Sequence, residues 1–202
     1  MHPNPAFRKM PADRNLAFAR AQGFGMLAVS TPGAPLISHI PFLLNEAGSE
    51  AGFHLVRSNP ICRLADEELP ARLAVQGAHG YVSPDWYGMG DQVPTWNYVA
   101  VHLIGQVEQL PQEALRPMLD DLSEWFESGL DPKPRWRADK MPDDLMDRMM
   151  RQIVPFRLRI EEVQGTWKLG QNKPEAARLG AAEGLQGRDP ALAALMRDPP
   201  EA

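Results

Sequence analysis

The sequence predicts a mainly β protein with inserted helices (α+β), built on an antiparallel barrel of six or seven strands. Three observations carry this expectation. Short apolar runs separated by Gly, Pro and Asn turns fill the stretch from residue 24 to residue 109. Between residues 112 and 152 the apolar spacing becomes helical. Strict alternation then returns, with Phe156, Leu158 and Ile160 set against Arg157, Arg159 and Glu161.

Residues 11–22 read as a short helix, with Asp13 as N-cap, Leu16 and Ala19 on the inner face and Gly23 as the stop. Gly25 to Ser30 is a first strand. The turn Thr31-Pro32-Gly33-Ala34-Pro35 reverses the chain into a second, Leu36 to Leu44, making a hairpin. Pro41 cannot donate to a ladder, so Ser38 to Phe42 belongs at an edge, at a bulge or beside a ligand. Phe53 to Val56 is a third strand, and Arg57-Ser58-Asn59-Pro60 opens a short helix through Leu64. Arg72 to Gln76 is a fourth strand, continued irregularly through Tyr81 and Val82.

The longest strand signal is Tyr98 to Gln109. Val99, Val101, Leu103 and Val107 share one face, and Tyr98, Ala100, His102 and Ile104 share the other, which is apolar enough to need a second surface such as a homodimer seam. Leu115, Leu119, Leu122 and Phe126 define a helix within Gln112 to Ser128, with Pro117 placed in its first turn. A loop from Asp131 to Lys140 leads to a second helix near Pro142 to Gln152. After the Phe156 strand, Gly165 to Leu169 reads as another strand. The barrel domain then spans 1–174, with a helical insertion at about 112–152, and 175–202 forms one or two short, loosely packed helices.

The net charge of −5 and the absence of a like-charge block give no basic face for phosphates, so no direct nucleic acid contact is expected. Cys62 is the single cysteine, which excludes an internal disulfide and disfavours a thiolate metal site; no histidine pair has zinc spacing. Neither an apolar leader nor a run of membrane-spanning length is present, so a soluble, cytoplasmic protein without a membrane partner is expected.

Chemistry concentrates between residues 76 and 105, which hold all three tyrosines and two of the five tryptophans around a Gly/Pro/Asp loop. Two readings stand side by side. Trp86, Tyr87, Trp96 and Tyr98 either close the barrel end or a dimer seam, or wall a slot for a flat, partly polar ligand bonded by Asn97 and Thr95.

Five segments then match one family in order: Ser38 to Leu44 (SHIPFLL), Leu55 to Pro60 (LVRSNP), Gln76 to Tyr87 (QGAHGYVSPDWY), Val93 to Tyr98 (VPTWNY) with Val101 to Gly105 (VHLIG), and Gly165 to Pro174 (GTWKLGQNKP). Over residues 1 to about 195 the chain resembles the FMN-binding negative transcriptional regulators of the PaiB type. The resemblance implies an FMN-binding split β-barrel, usually a homodimer with FMN at the subunit interface. Where the family often has Ser and Arg, this chain has Gly170 and Lys173.

An FMN cofactor needs donors for its phosphate, a polar edge for its pyrimidine side and apolar surface for its faces. Arg57, Ser58 and Asn59, at a strand-to-helix passage, suit the phosphate. Lys168, Gln171, Asn172 and Lys173 form a second cationic cluster, although a solvated turn has the same composition. The backbone of Ser38, His39, Ile40 and Pro41 suits the ring edge, and Trp96, Asn97 and Tyr98, from the same or the partner subunit, supply a face and an amide. His39, His79 and His102 read first as histidines hydrogen-bonded in place. The resulting expectation is a dimeric flavoprotein that exchanges electrons with NAD(P)H or a small acceptor and regulates transcription indirectly. A flavin sensor that acts through another protein, and a haem-binding barrel, are the alternatives.

Overall fold

In the computed structural model, which describes residues 1–64 and 69–201, the expected first hairpin forms but its second strand breaks at Phe42. β1 (Phe24–Val29) pairs antiparallel with β2 (Leu36–Pro41), Phe24 opposite Pro41 and Val29 opposite Leu36. β3 (Leu43–Leu44) pairs instead with β4 (Glu50–Val56), Leu43 opposite Gly52. The break follows from chemistry: Pro41 brings no N–H to the ladder, and the Phe42 amide donates to Gly23 O at 2.9 Å as its last rung.

Three long strands complete the sheet: β5 (Leu69–Val82), β6 (Thr95–Gln109) and β7 (Ile153–Lys168), in the order β2-β1-β5-β6-β7-β4-β3. β2 and β3 end the order on opposite sides, yet only Phe42 separates them in sequence, so the seven strands must curl until the ends meet. The result is the antiparallel split β-barrel that the sequence predicts, with Pro41 on a strand at the end of the order.

The described chain forms two compact units. One comprises Gly23–Leu73 and Leu103–Glu162; the other comprises Met1–Gln22, Ala74–His102 and Val163–Ala202. In the first, Phe53 lies opposite Phe156 across β4 and β7, their buried rings stacked at 5.8 Å. Outside that core, Arg157 bridges Glu50 and Glu108. A 3₁₀ turn (Gln112–Ala114) leads into α2 (Leu115–Ser128) with Pro117 in its first turn, and α3 (Asp143–Met150) follows. Along β6 the expected inner set, Val99, Val101, Leu103 and Val107, is fully buried.

Three expectations need correction. The strands predicted around Phe156 and at Gly165 to Leu169 are a single strand, β7. Buried runs at its two ends, Val154 to Phe156 with Leu158 and then Gly165 to Trp167, are separated by the half-buried or exposed stretch 159–164. In the first helix, α1 (Ala12–Gln22), the buried residues are Asn15 and Ala19, with Leu16 half-buried, and Asp13 lies inside the first turn rather than at the cap.

The C-terminal helices, α4 (Glu175–Leu185) and α5 (Pro190–Arg197), are not loosely packed. Ala177, Ala181, Ala182, Leu185, Leu192, Ala193 and Met196 join Val82, Tyr87, Val99, Trp167 and Leu169 in the core of the second unit. Burying Leu185 and Leu192 is worth about 1.5–3 kcal/mol each. The small residues are the reason α4 fits: a Cβ on Gly184 would stand 2.4 Å from Trp86 Cδ2, so only glycine lets the helix close on that ring.

Candidate functional site

In the first unit the edge strand and the turn after β4 come together. Leu36, Ser38 and Ile40 face inward along β2, while His39 and Pro41 face out, His39 stacking on Phe24 at a centroid distance of 6.5 Å. After Val56 the chain turns, with the Asn59 amide donating to Val56 O at 2.8 Å. Asn59 Oδ1 accepts from Ile61 N at 3.0 Å and so caps the short 3₁₀ helix Pro60–Leu64. Asn59 Nδ2 donates to Ser38 Oγ at 2.7 Å, fastening the turn to β2.

This turn differs from the expectation in how its donors are used. The Ile61 and Cys62 amides are satisfied by Asn59 itself, so the helix start is not a free anion site. Arg57 Nε donates to Arg151 O at 3.0 Å, and Nη2 donates to Gln112 Oε1 at 3.2 Å and Ile153 O at 3.4 Å, leaving Nη1 as its open end. Ser58 is exposed, and neither its amide nor its hydroxyl bonds to another described residue. Burial pushes the neighbouring half-buried Cys62 thiol above its ordinary range, with the Arg57 charge opposing.

The second unit holds the other predicted residues. Lys168, at the end of β7, donates to Thr95 Oγ1 and to Trp96 O, the latter at 2.8 Å, with its ammonium 6.0 Å above the Phe7 ring. Lys173 donates to Gln92 Oε1 and lies 5.1 Å above the Tyr87 ring. Among the described residues neither lysine has a carboxylate partner. Burial first, and then the charge of Lys173, hold the Lys168 ammonium below the usual lysine range. An anion brought here would relieve that repulsion.

Gln171 is spent on its own turn, accepting from Leu169 N at 2.8 Å and donating to Trp167 O, and Asn172 is exposed. Between them and Leu169, Gly170 adopts φ +80° and its carbonyl accepts from Lys173 N at 2.9 Å, so a serine at this position would strain the turn.

The four aromatic residues divide. Trp86 and Tyr87 go to structure, Trp86 against α4 and Tyr87 into the core. Trp96 is 56% exposed and flanked by His79, stacked at 6.4 Å, and Tyr81, edge-on at 6.4 Å; Tyr98 is half-buried. Asn97 is 1% exposed and donates to Met196 Sδ at 3.4 Å, so its amide points into the core of its unit and not toward a ligand slot. Phe7, Gln92 and the acceptors of Arg57 are absent from the sequence-based set, because their roles depend on contacts with residues far away in the chain.

Among the described residues no group of three or more His, Cys, Asp or Glu is placed to hold a metal ion, and no helix is long and apolar enough to cross a membrane. The arrangement offers the Ser58 donors and the Arg57 guanidinium near an edge strand in one unit, and paired ammonium groups beside aromatic rings in the other.

The chain is 29% identical over 198 residues to the protease synthase and sporulation protein PAI 2 of Bacillus subtilis, spanning 95% of this chain and 94% of that protein. Its fold is similar to that of the FAD and heme binding protein of Mycobacterium smegmatis, with a TM-score of 0.58 and 19% identity over 80% of this chain and 73% of that one. It is also similar to the flavocytochrome Anf3 of Azotobacter vinelandii, with a TM-score of 0.57 and 11% identity over 83% and 72% of the two chains. At these identities the two structural likenesses concern the fold alone. Residues 1–162 of the 202 match the family described as "Putative FMN-binding domain", and the chain belongs to that family.

Proposed function

We propose that the chain is an FMN-binding flavoprotein that works as a homodimer, exchanges electrons with NAD(P)H or a small acceptor, and influences transcription indirectly. The observation that carries this reading is the Asn59–Ser38 hydrogen bond, which joins the turn suited to a phosphate to the edge strand suited to a ring edge. Family membership supports FMN as the flavin. The B. subtilis relative's name couples it to protease synthesis and sporulation, which supports a regulatory effect; the net charge of −5 favours an indirect one.

The residues present fit the cofactor. The Ser58 amide and hydroxyl and the Arg57 Nη1 end are donors without a protein acceptor, at an exposed turn that a phosphate can approach. β2 ends the strand order with Ser38, His39, Ile40 and Pro41, so main-chain groups there can orient a ring edge. Lys168, Lys173 and Trp96 are further flavin-contacting candidates, because two ammonium groups without a carboxylate and an exposed ring suit a phosphate-bearing aromatic molecule. Bound FMN supplies the electron transfer, and the protein binds, orients and shields it.

Turnover is the test. Protein loaded with FMN is mixed with NADH or NADPH and an electron acceptor such as a quinone, and the nicotinamide absorbance is followed. Oxidation that depends on the protein and on FMN supports the electron-exchange reading. Loading with FMN but no oxidation above that of free FMN would refute it and leave a flavin sensor.

A further inference from the structure

Within the Gly23–Leu73 and Leu103–Glu162 unit, α2, α3 and the segment between them form a cavity of about 410 Å³ against Val56 and Ile153 at the ends of β4 and β7. Its wall is sulfur-rich: Met141, Met146, Met149 and Met150 line it together with Trp136 and Leu119. Four of the chain's ten methionines thus converge on one space, contributed by α3 and by Met141, two residues ahead of it. Met146 is buried, whereas Met149 is 52% exposed, so the cavity has a floor and an open mouth.

Charge decides the class of occupant. Among the described residues the ionised side chains in the wall are Arg116 and Asp120, which bond to each other through Arg116 Nε at 3.0 and 3.3 Å, one helical turn apart on α2. The wall therefore carries no net charge, and the ligand that suits it is neutral. Ser123 and Gln152 are the remaining polar residues, enough for one or two hydrogen bonds to an otherwise apolar molecule.

Size narrows the class further. A cavity of about 150 Å³ accommodates benzene, so 410 Å³ has room for two or three fused or linked rings. Methionine side chains are unbranched and polarizable, and they adjust to aromatic outlines through sulfur–ring contacts. We propose that this cavity is a binding site for a small, neutral, aromatic molecule of two or three rings, adjoining the Arg57 turn through Val56, Gln152 and Ile153. The proposal does not depend on the flavin reading.

The neutral two-ring dye N-phenylnaphthylamine is the probe, titrated into the full-length protein labelled with ¹³C at the methionine methyl groups. The expected result is saturable, blue-shifted dye emission, with methyl shifts confined to Met141, Met146, Met149 and Met150 and with Met10, Met26 and Met196 unmoved. Met149→Lys, a change at the exposed mouth that the fold can tolerate, should weaken dye binding about tenfold or more. Met149→Leu should leave it within about threefold of wild type, because volume and polarity are nearly kept. Dye binding that shifts methyl groups throughout the protein, binding that Met149→Lys leaves unchanged, or no saturable binding would each overturn the proposal.

Discussion

Arg57→Ala should lower affinity for FMN more than affinity for riboflavin, and the structure separates the two effects of that change. The guanidinium holds Arg151 O, Gln112 Oε1 and Ile153 O through Nε and Nη2 at 3.0–3.4 Å. Removing those exposed bonds costs about 0.5–1.5 kcal/mol each at most. That loss loosens the turn ahead of β7 and is felt equally by both ligands. Only the phosphate contact proposed for Nη1 would distinguish them. Truncating one partner of a hydrogen-bonded charge pair costs about 2–5 kcal/mol, and an exposed arginine belongs at the low end. About 2 kcal/mol corresponds to roughly 30-fold in the ratio of FMN to riboflavin affinity. Flavin fluorescence titrations of wild type and variant give the ratio directly, and a ratio unchanged by the mutation would refute the reasoning and move attention to Lys168 and Lys173.

Two further predictions concern stability. Asn15→Ala leaves the buried Trp167 indole N–H without the acceptor that now takes it at 2.8 Å, and should cost about 1–3 kcal/mol, read as a lower urea midpoint at unchanged slope; no change in midpoint would contradict it. Burial holds the half-buried His54 below the usual imidazole range, and its Nδ1 has no hydrogen-bond partner. Its folded pKa is the lower one, so its contribution is complete above the unfolded value of about 6.5 and is lost as pH falls through the folded pKa. Unfolding free energies measured at pH values on both sides of that value should fall less on acidification in His54→Leu than in wild type, and equal slopes would count against it.

What the sequence made legible follows the range of the interactions involved. β6 was readable because its period-two alternation is local and uninterrupted from Asn97 to Val107. Pro41 marked an edge because a missing N–H is a property of one residue. β7 reads as two strands because its buried ends are separated by the polar, more exposed stretch 159–164, which in sequence resembles a gap. Alanine and glycine in α4 read as weak packing, yet they are what admits the Trp86 ring, a partner about a hundred positions away that no local pattern announces.

The candidate site divides in the same way. The Arg57 to Asn59 turn and the Lys168 and Lys173 pair were visible as residue types, whereas their partners were not. That Asn59 reaches Ser38, that Arg57 spends two nitrogens on Arg151, Gln112 and Ile153, and that Asn97 faces Met196 are consequences of strand pairing and face, which sequence alone leaves open at a single polar residue.

The central claim is that this chain binds FMN, and the most direct measurement is the visible absorbance spectrum of freshly purified protein, recorded before and after adding FMN and passing the mixture through gel filtration. Flavin bands that elute with the protein, shifted from those of free FMN and saturating at a single flavin per chain, are the predicted result. A spectrum identical to free FMN, with all of the flavin separating from the protein on the column, would contradict the claim.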